Sequence, residues 1–112
     1  MTLRALAETL GLEVLSAWDL DREVTGAYVA DLLSDVLAHA APGSLWITLQ
    51  THANVAAVAA LKELSVLLAN GRRPDPDMLE RAREHKVTVL ATGLPAFEIA
   101  GRLYAAGLRG GN

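Results

Sequence analysis

The sequence predicts an α/β layered domain, with a mostly parallel sheet of about five short strands and helices on both faces. Three observations carry this reading. Apolar runs of four or five residues recur along the chain, each is followed by a short polar loop, and each loop leads into a helix-length segment. The runs are rich in Val, Leu and Ile, as strands buried on both faces must be. Regular alternation of strand and helix argues for a parallel sheet with crossovers of one hand.

The elements follow in order. Thr2 can cap a first helix in which Leu3, Leu6 and Leu10 share a face, and Gly11 supplies its stop. Residues 12–15 alternate as a short strand does. A polar stretch then leads to a strand over 27–30 and a helix over 32–40, closed by Pro42 and Gly43. The strand at 45–49 is followed by Gln50, Thr51 and His52 and a helix to about Lys62. The strand at 64–68 is followed by Asn70 and Gly71 and a helix from Pro76 to about Lys86. In that helix Asp75 can cap, Pro76 suits the first turn, Asp77 can pair with Arg81, and Lys86 lies at the negative end of the dipole. A strand over 87–90, the pair Thr92-Gly93 and a helix over 95–106 complete the pattern. Gly107 begins a frayed end. The division is one domain over residues 1–108 and a flexible tail over 109–112.

A chain of 112 residues has room for one domain. Folding at this size buries roughly 65% of the unfolded surface, enough for a core without metal or disulfide staples. Aromatic residues make up 4% of the chain and the net charge is −3, so neither stacking side chains nor a basic face favours nucleic acid. The densest basic cluster, Arg72, Arg73, Arg81 and Arg83, is interleaved with Asp75, Asp77, Glu80 and Glu84. Cysteine is absent, which fits a reducing compartment. The first residues do not read as a signal peptide, and the longest apolar stretch, 53–61, is too short to span a bilayer. A cytoplasmic protein with no membrane partner is expected.

The familiar catalytic motifs are missing. No phosphate-cradling G-x-x-x-x-G-K-[ST] loop, no G-x-G-x-x-G and no G-x-S-x-G occurs. His39, His52 and His85 lack the spacing of a helical metal site. Neither cofactor nor metal is expected.

The segment Asp21-Arg22-Glu23-Val24-Thr25-Gly26-Ala27 is the most informative. Read on its residues alone, it is a loop entering a strand, with Asp21 and Arg22 solvated, Thr25 bonded to backbone and Gly26 in a turn. It also resembles the motif that names the DRTGG domain family, in which Asp-Arg precedes Thr-Gly-Gly; Ala27 stands where the last glycine would be. The resemblance extends through Tyr28 to Val36, Leu45 to His52 and Leu94 to Ala100, and so covers essentially the whole chain. It implies a compact α/β domain similar to the N-terminal domain of the HPr kinase/phosphorylase. It also implies a regulatory or dimerising role, with catalysis left to other domains, and places Asp21, Arg22, Thr25 and Gly26 in the family motif.

Open parallel sheets bind ligands at the carboxyl ends of their strands. That edge should collect Asp31, Ser34, Gln50, Thr51, His52, Asn54, Asn70, Gly71, Thr92 and Gly93, with Leu12 and Lys86 at the opposite edge. Short polar residues beside helix N-termini suit a small anion, and they equally suit capping. Trp46 reads as core. Trp18, Tyr28 and the Ala-rich face of Ala56, Ala57, Ala59 and Ala60 could belong to a subunit contact or to internal packing. The leading expectation is a non-catalytic, homodimeric regulatory module that binds a small anionic metabolite or nucleotide or docks a partner enzyme. The alternatives are a small enzyme using His52 as acid or base and a purely structural dimerisation domain.

Overall fold

Thr2 sets the N-terminus of α1 (Leu3–Leu10): its hydroxyl accepts the Ala5 amide, and Gly11 ends the helix at φ 65°. The computed structural model describes residues 1–110. After α1 come β1 (Glu13–Ser16), β2 (Ala27–Val29), α2 (Leu33–His39), β3 (Leu45–Thr48) and α3 (Ala53–Lys62). They are followed by β4 (Ser65–Leu68), α4 (Pro76–Glu84), β5 (Val89–Ala91) and α5 (Ala96–Ala105).

The five strands form one sheet in the order β1-β5-β4-β3-β2. From β2 to β5 each strand lies parallel beside its predecessor. β1 runs antiparallel against β5, with Glu13 opposite Ala91 and an irregularity between Val14 and Ser16. The expected class therefore holds. The antiparallel strand corrects one placement: the start of β1, with Leu12 just before it, lies at the carboxyl edge of the parallel strands, not the opposite one.

Side-chain alternation divides the core in two. On one face Leu45, Ile47, Leu67 and Leu90 pack with Leu3, Leu6 and Ala7 of α1 and Ile99 and Leu103 of α5. On the other, Trp46, Val66, Leu68, Val89 and Ala91 pack against Val36 of α2, Val55 and Val58 of α3, and Met78 and Ala82 of α4. The three helices that connect the parallel strands thus share one face, as crossovers of a single hand require. Ala56 and Ala59 are fully buried there, so the Ala-rich face of α3 serves internal packing. Trp46 is core as expected, and its indole N–H, which burial would otherwise leave unpaired, donates to the Ala30 carbonyl at 2.8 Å.

Around α4 the structure departs from the sequence reading. The helix ends at Glu84, and Lys86 lies beyond it at φ 60°, with its ammonium 4.7 Å from the centre of the Trp18 ring. Asp75 occupies the N-cap position but caps with no side-chain bond; its carboxylate instead accepts from the Thr51 hydroxyl at 3.3 Å. Among the described residues no ion pair joins Asp77 to Arg81. The end expected to fray from Gly107 is anchored at its start: Leu108 is buried and the Arg109 carbonyl accepts the Ala27 amide at 2.9 Å. Of the expected tail, residues 111 and 112 lie outside the described residues. No described helix is long and apolar enough to cross a membrane.

Candidate functional site

The carboxyl edge gathers the strand-end residues, but hydrogen bonds assign them different tasks. Asp31, just past β2, accepts both the Thr48 hydroxyl and the Leu49 amide at 2.8 Å, tying the end of β2 to the end of β3. Thr48 in turn accepts the Gln50 amide at 3.2 Å. Thr51 bonds Asp75 through both its hydroxyl and its carbonyl, fixing the start of α4 to the loop after β3. Asp31 and Thr51 are therefore structural ties. Ser34 is exposed in the first turn of α2, apart from the rest.

His52 and Asn54 sit at the start of α3 and, with Asp77, line a shallow hollow of about 370 Å³. No side-chain bond from His52 caps the helix. Half-buried Gln50 does not join them in that hollow.

Asn70, Gly71, Thr92 and Gly93 behave as a unit. Asn70 and Gly71 adopt φ 61° and 70°, and the Arg72 amide bonds back to the Ala69 carbonyl at 3.1 Å, giving a tight left-handed turn. That turn is stitched to the loop after β5 by bonds from the Asn70 amide to the Leu94 carbonyl (2.7 Å) and from the Gly71 amide to the Thr92 carbonyl (3.0 Å). The Thr92 hydroxyl accepts the Leu94 amide at 3.2 Å.

Beside this frame lies a cleft of about 250 Å³, walled by Gly71, Thr92 and Gly93 together with Gly11, Glu13, Arg72 and Arg73. A methyl group at Gly11, Gly71 or Gly93 would meet nothing within 4 Å, so three stretches of bare backbone face open space. Arg73 makes a two-pronged bond with Glu13 at 2.8 and 3.0 Å, which holds the Glu13 carboxyl below the usual carboxylate range and raises the guanidinium. Arg72 is exposed and, among the described residues, makes no side-chain hydrogen bond. The cleft thus offers a guanidinium, a second one released only when Glu13 lets go, and a wall open to close approach. Such a surface suits a phosphate-sized anion.

Sequence reasoning missed Glu13, Gly11 and the two arginines. Arg72 and Arg73 directly follow the Asn70-Gly71 turn, and that adjacency was a usable signal. Glu13 carried none, because only an antiparallel β1 brings it to this edge.

The motif residues lie elsewhere, at the amino edge. Asp21 pairs with Arg4 at 2.9 Å, and Arg22 reaches the Glu63 carbonyl at 3.4 Å. The Thr25 hydroxyl donates to the Pro42 carbonyl at 3.2 Å and its amide to the Gly43 carbonyl at 3.1 Å. The Gly26 carbonyl accepts the Leu45 amide at 2.9 Å. Each of these bonds fastens the entry of β2 to α1, to the end of α3 or to the entry of β3. The motif works here as a clasp on the fold, at the far end of the strands from the cleft.

No family model matches the chain, and no curated protein does. Among solved structures the chain is similar to the CBS and DRTGG domains of the regulatory region of Clostridium perfringens pyrophosphatase, determined in complex with the activator diadenosine tetraphosphate. The TM-score is 0.75 at 22% identity, over 96% of this chain and 47% of that one. The chain therefore spans about half the length of the structure it matches, 47%. The likeness bears out the fold expected from Asp21, Arg22, Thr25 and Gly26: in fold, the chain is a DRTGG-like domain.

Proposed function

We propose that the chain is a non-catalytic regulatory module that binds a small phosphate-bearing anion, such as a nucleotide, in the carboxyl-edge cleft. The observation that carries this reading is the convergence of Arg72, Arg73 and three unobstructed glycine backbones on one cleft. The similar pyrophosphatase region is a regulatory one solved with a nucleotide activator, which supports the same class of role. Binding here would stiffen the loops after β4 and β5 and so signal to whatever docks on that edge.

Thermal shift and calorimetry with inorganic phosphate and then adenine nucleotides test the proposal. Ligand at a hundred times its dissociation constant should stabilise the fold by about 2.7 kcal/mol. Arg72→Ala should weaken binding about tenfold or more, since a charge-assisted bond is lost. Glu13→Gln should have the opposite sign and strengthen binding about 2- to 5-fold, because the exposed pair that occupies Arg73 is removed. Acidification should act in the same direction. The Glu13 carboxyl titrates below its ordinary range, so the ion pair persists above that range and is lost as pH falls through the lowered value. Binding unchanged in both variants would refute the cleft.

The module is proposed to act as a homodimer. Tyr28, one sequence candidate for the contact, is engaged within the chain, its hydroxyl donating to Asp35 at 3.0 Å. One exposed apolar face lies on α5, where Phe97 is 86% and Tyr104 60% exposed, with Gly101 between them and the Arg109 guanidinium packed on the Tyr104 ring. Glu98 and Arg102 flank that face one turn apart, so an antiparallel second copy would set each acid against the other's base. Sedimentation of the chain should show a dimer that Phe97→Ser dissociates; a monomer at high concentration would overturn the dimer.

A further inference from the structure

At the opposite edge from the cleft, two hollows of about 200 and 280 Å³ meet at Trp18 and Lys86. Their walls carry Arg22, Arg83, His85 and Lys86 against one acid, Glu63. In a chain of net charge −3, this concentration of bases is a local departure from the background.

The aromatic residue at the centre is held in place. Trp18 donates its amide to the Thr88 hydroxyl at 2.9 Å, and the same hydroxyl donates to the Trp18 carbonyl at 2.7 Å. Thr88 is 2% exposed, so a buried side chain is spent wholly on fixing the backbone beneath a ring that stays 44% exposed. The residue that follows is strained: Asp19 sits at φ 45°, a region that residues with a β-carbon seldom enter, whereas Lys86 at φ 60° is the left-handed residue that stops α4, the Val87 amide bonding back to the Ala82 carbonyl at 2.8 Å. Lys86 lies over the indole. Strain of this kind persists where the surroundings impose it and gathers at ligand clamps. Arg22, half-buried, makes one long bond to the Glu63 carbonyl among the described residues, which leaves guanidinium donors for an incoming group.

We infer that this amino-edge groove is a second ligand site, and that it takes a nucleoside phosphate, with the base stacked on Trp18 in place of the Lys86 ammonium and the phosphate set against Arg22, His85 and the displaced Lys86. A planar base matches a rigid, half-exposed indole, and a phosphate matches the Arg22 guanidinium and the Lys86 ammonium, with the His85 ring as a further hydrogen-bonding group. The inference is independent of the carboxyl-edge cleft, with which it shares no residue.

The two tryptophans give the test. Trp46 is fully buried, so quenching of intrinsic fluorescence by AMP reports Trp18. AMP should quench saturably, while adenosine, lacking the phosphate, and ribose 5-phosphate, lacking the base, should each bind about tenfold more weakly or worse. The Arg22→Gln, Lys86→Gln double variant should weaken AMP by a similar factor, and Trp18→Phe should abolish the quenching. Arg72→Ala should leave it unchanged, so a failure of the cleft and a failure of the groove remain distinguishable. Amide shifts on AMP titration supply a second readout, expected around Trp18, His85 and Lys86. No saturable quenching at millimolar AMP, or equal quenching in the double variant, would overturn the inference.

Discussion

Trp46→Ala is expected to remove about 3–5 kcal/mol of folding stability, the range for emptying a large aromatic site in a closed core. The side chain is completely buried on β3, an interior strand of the sheet, in contact with the layer formed by α2, α3 and α4. Its loss also strands the Ala30 carbonyl, whose 2.8 Å bond from the indole joins β3 to the β2–α2 connection that carries Asp31. Typical domains are stable by only about 5–15 kcal/mol, so the variant should sit near the edge of folding. Urea unfolding followed by far-ultraviolet circular dichroism measures the effect. Trp46→Phe keeps most of the volume but removes the donor, and should cost about 1–3 kcal/mol if the variant lacking the ring fails to fold. A shift within the roughly 0.5 kcal/mol of a surface substitution would refute the role of Trp46.

Gly43→Ala should cost about 2–4 kcal/mol by two separable routes, the strain of a β-carbon at positive φ and a steric collision. Gly43 has φ 85°, and an added β-carbon would lie 2.9 Å from the Thr25 hydroxyl and 3.1 Å from its methyl group. Thr25 cannot swing away without surrendering its bond to the Pro42 carbonyl. A double-mutant cycle with Thr25→Ala separates the routes: the steric part should be relieved in the pair, while the backbone part remains. Strict additivity would show that Thr25 does not close on Gly43. The effect would then have nothing to do with the motif.

Where local chemistry dictates conformation, the sequence was readable. Thr2 and Gly11 bracket α1, and Pro76 begins α4, as expected. The apolar runs became β3 and β4 nearly to the residue because strands buried on both faces admit little else. The direction of β1 was not readable, since alternation over four residues looks the same from either end. What sets it is its pairing with β5, a partner more than seventy residues away. The site divided along the same line. Gly71, Thr92 and Gly93 follow from where parallel strands end, whereas Glu13 and the stacking of Lys86 on Trp18 arise from long-range pairing. The motif was legible as a loop entering a strand, but the carbonyls of Pro42, Gly43 and Glu63 that it clasps were not.

The pairing of β1 with β5 also governs the order of events during synthesis. β1 leaves the ribosome well before β5, so Glu13 and Val14 find Ala91 and Leu90 only after the more than seventy residues between them have emerged. Until then the first strand has no hydrogen-bonding partner, and for a time afterwards β5 presents an open edge to solvent. The parallel core β2-β3-β4 pairs only neighbours in sequence and can assemble in step with translation. Closure of the sheet by the N-terminal strand is then the late, slow event. A nascent chain stalled before Val89 would expose both an unpaired first strand and the part of the core face that Leu90, Ile99 and Leu103 later cover, the form of this molecule most open to chaperone capture or aggregation.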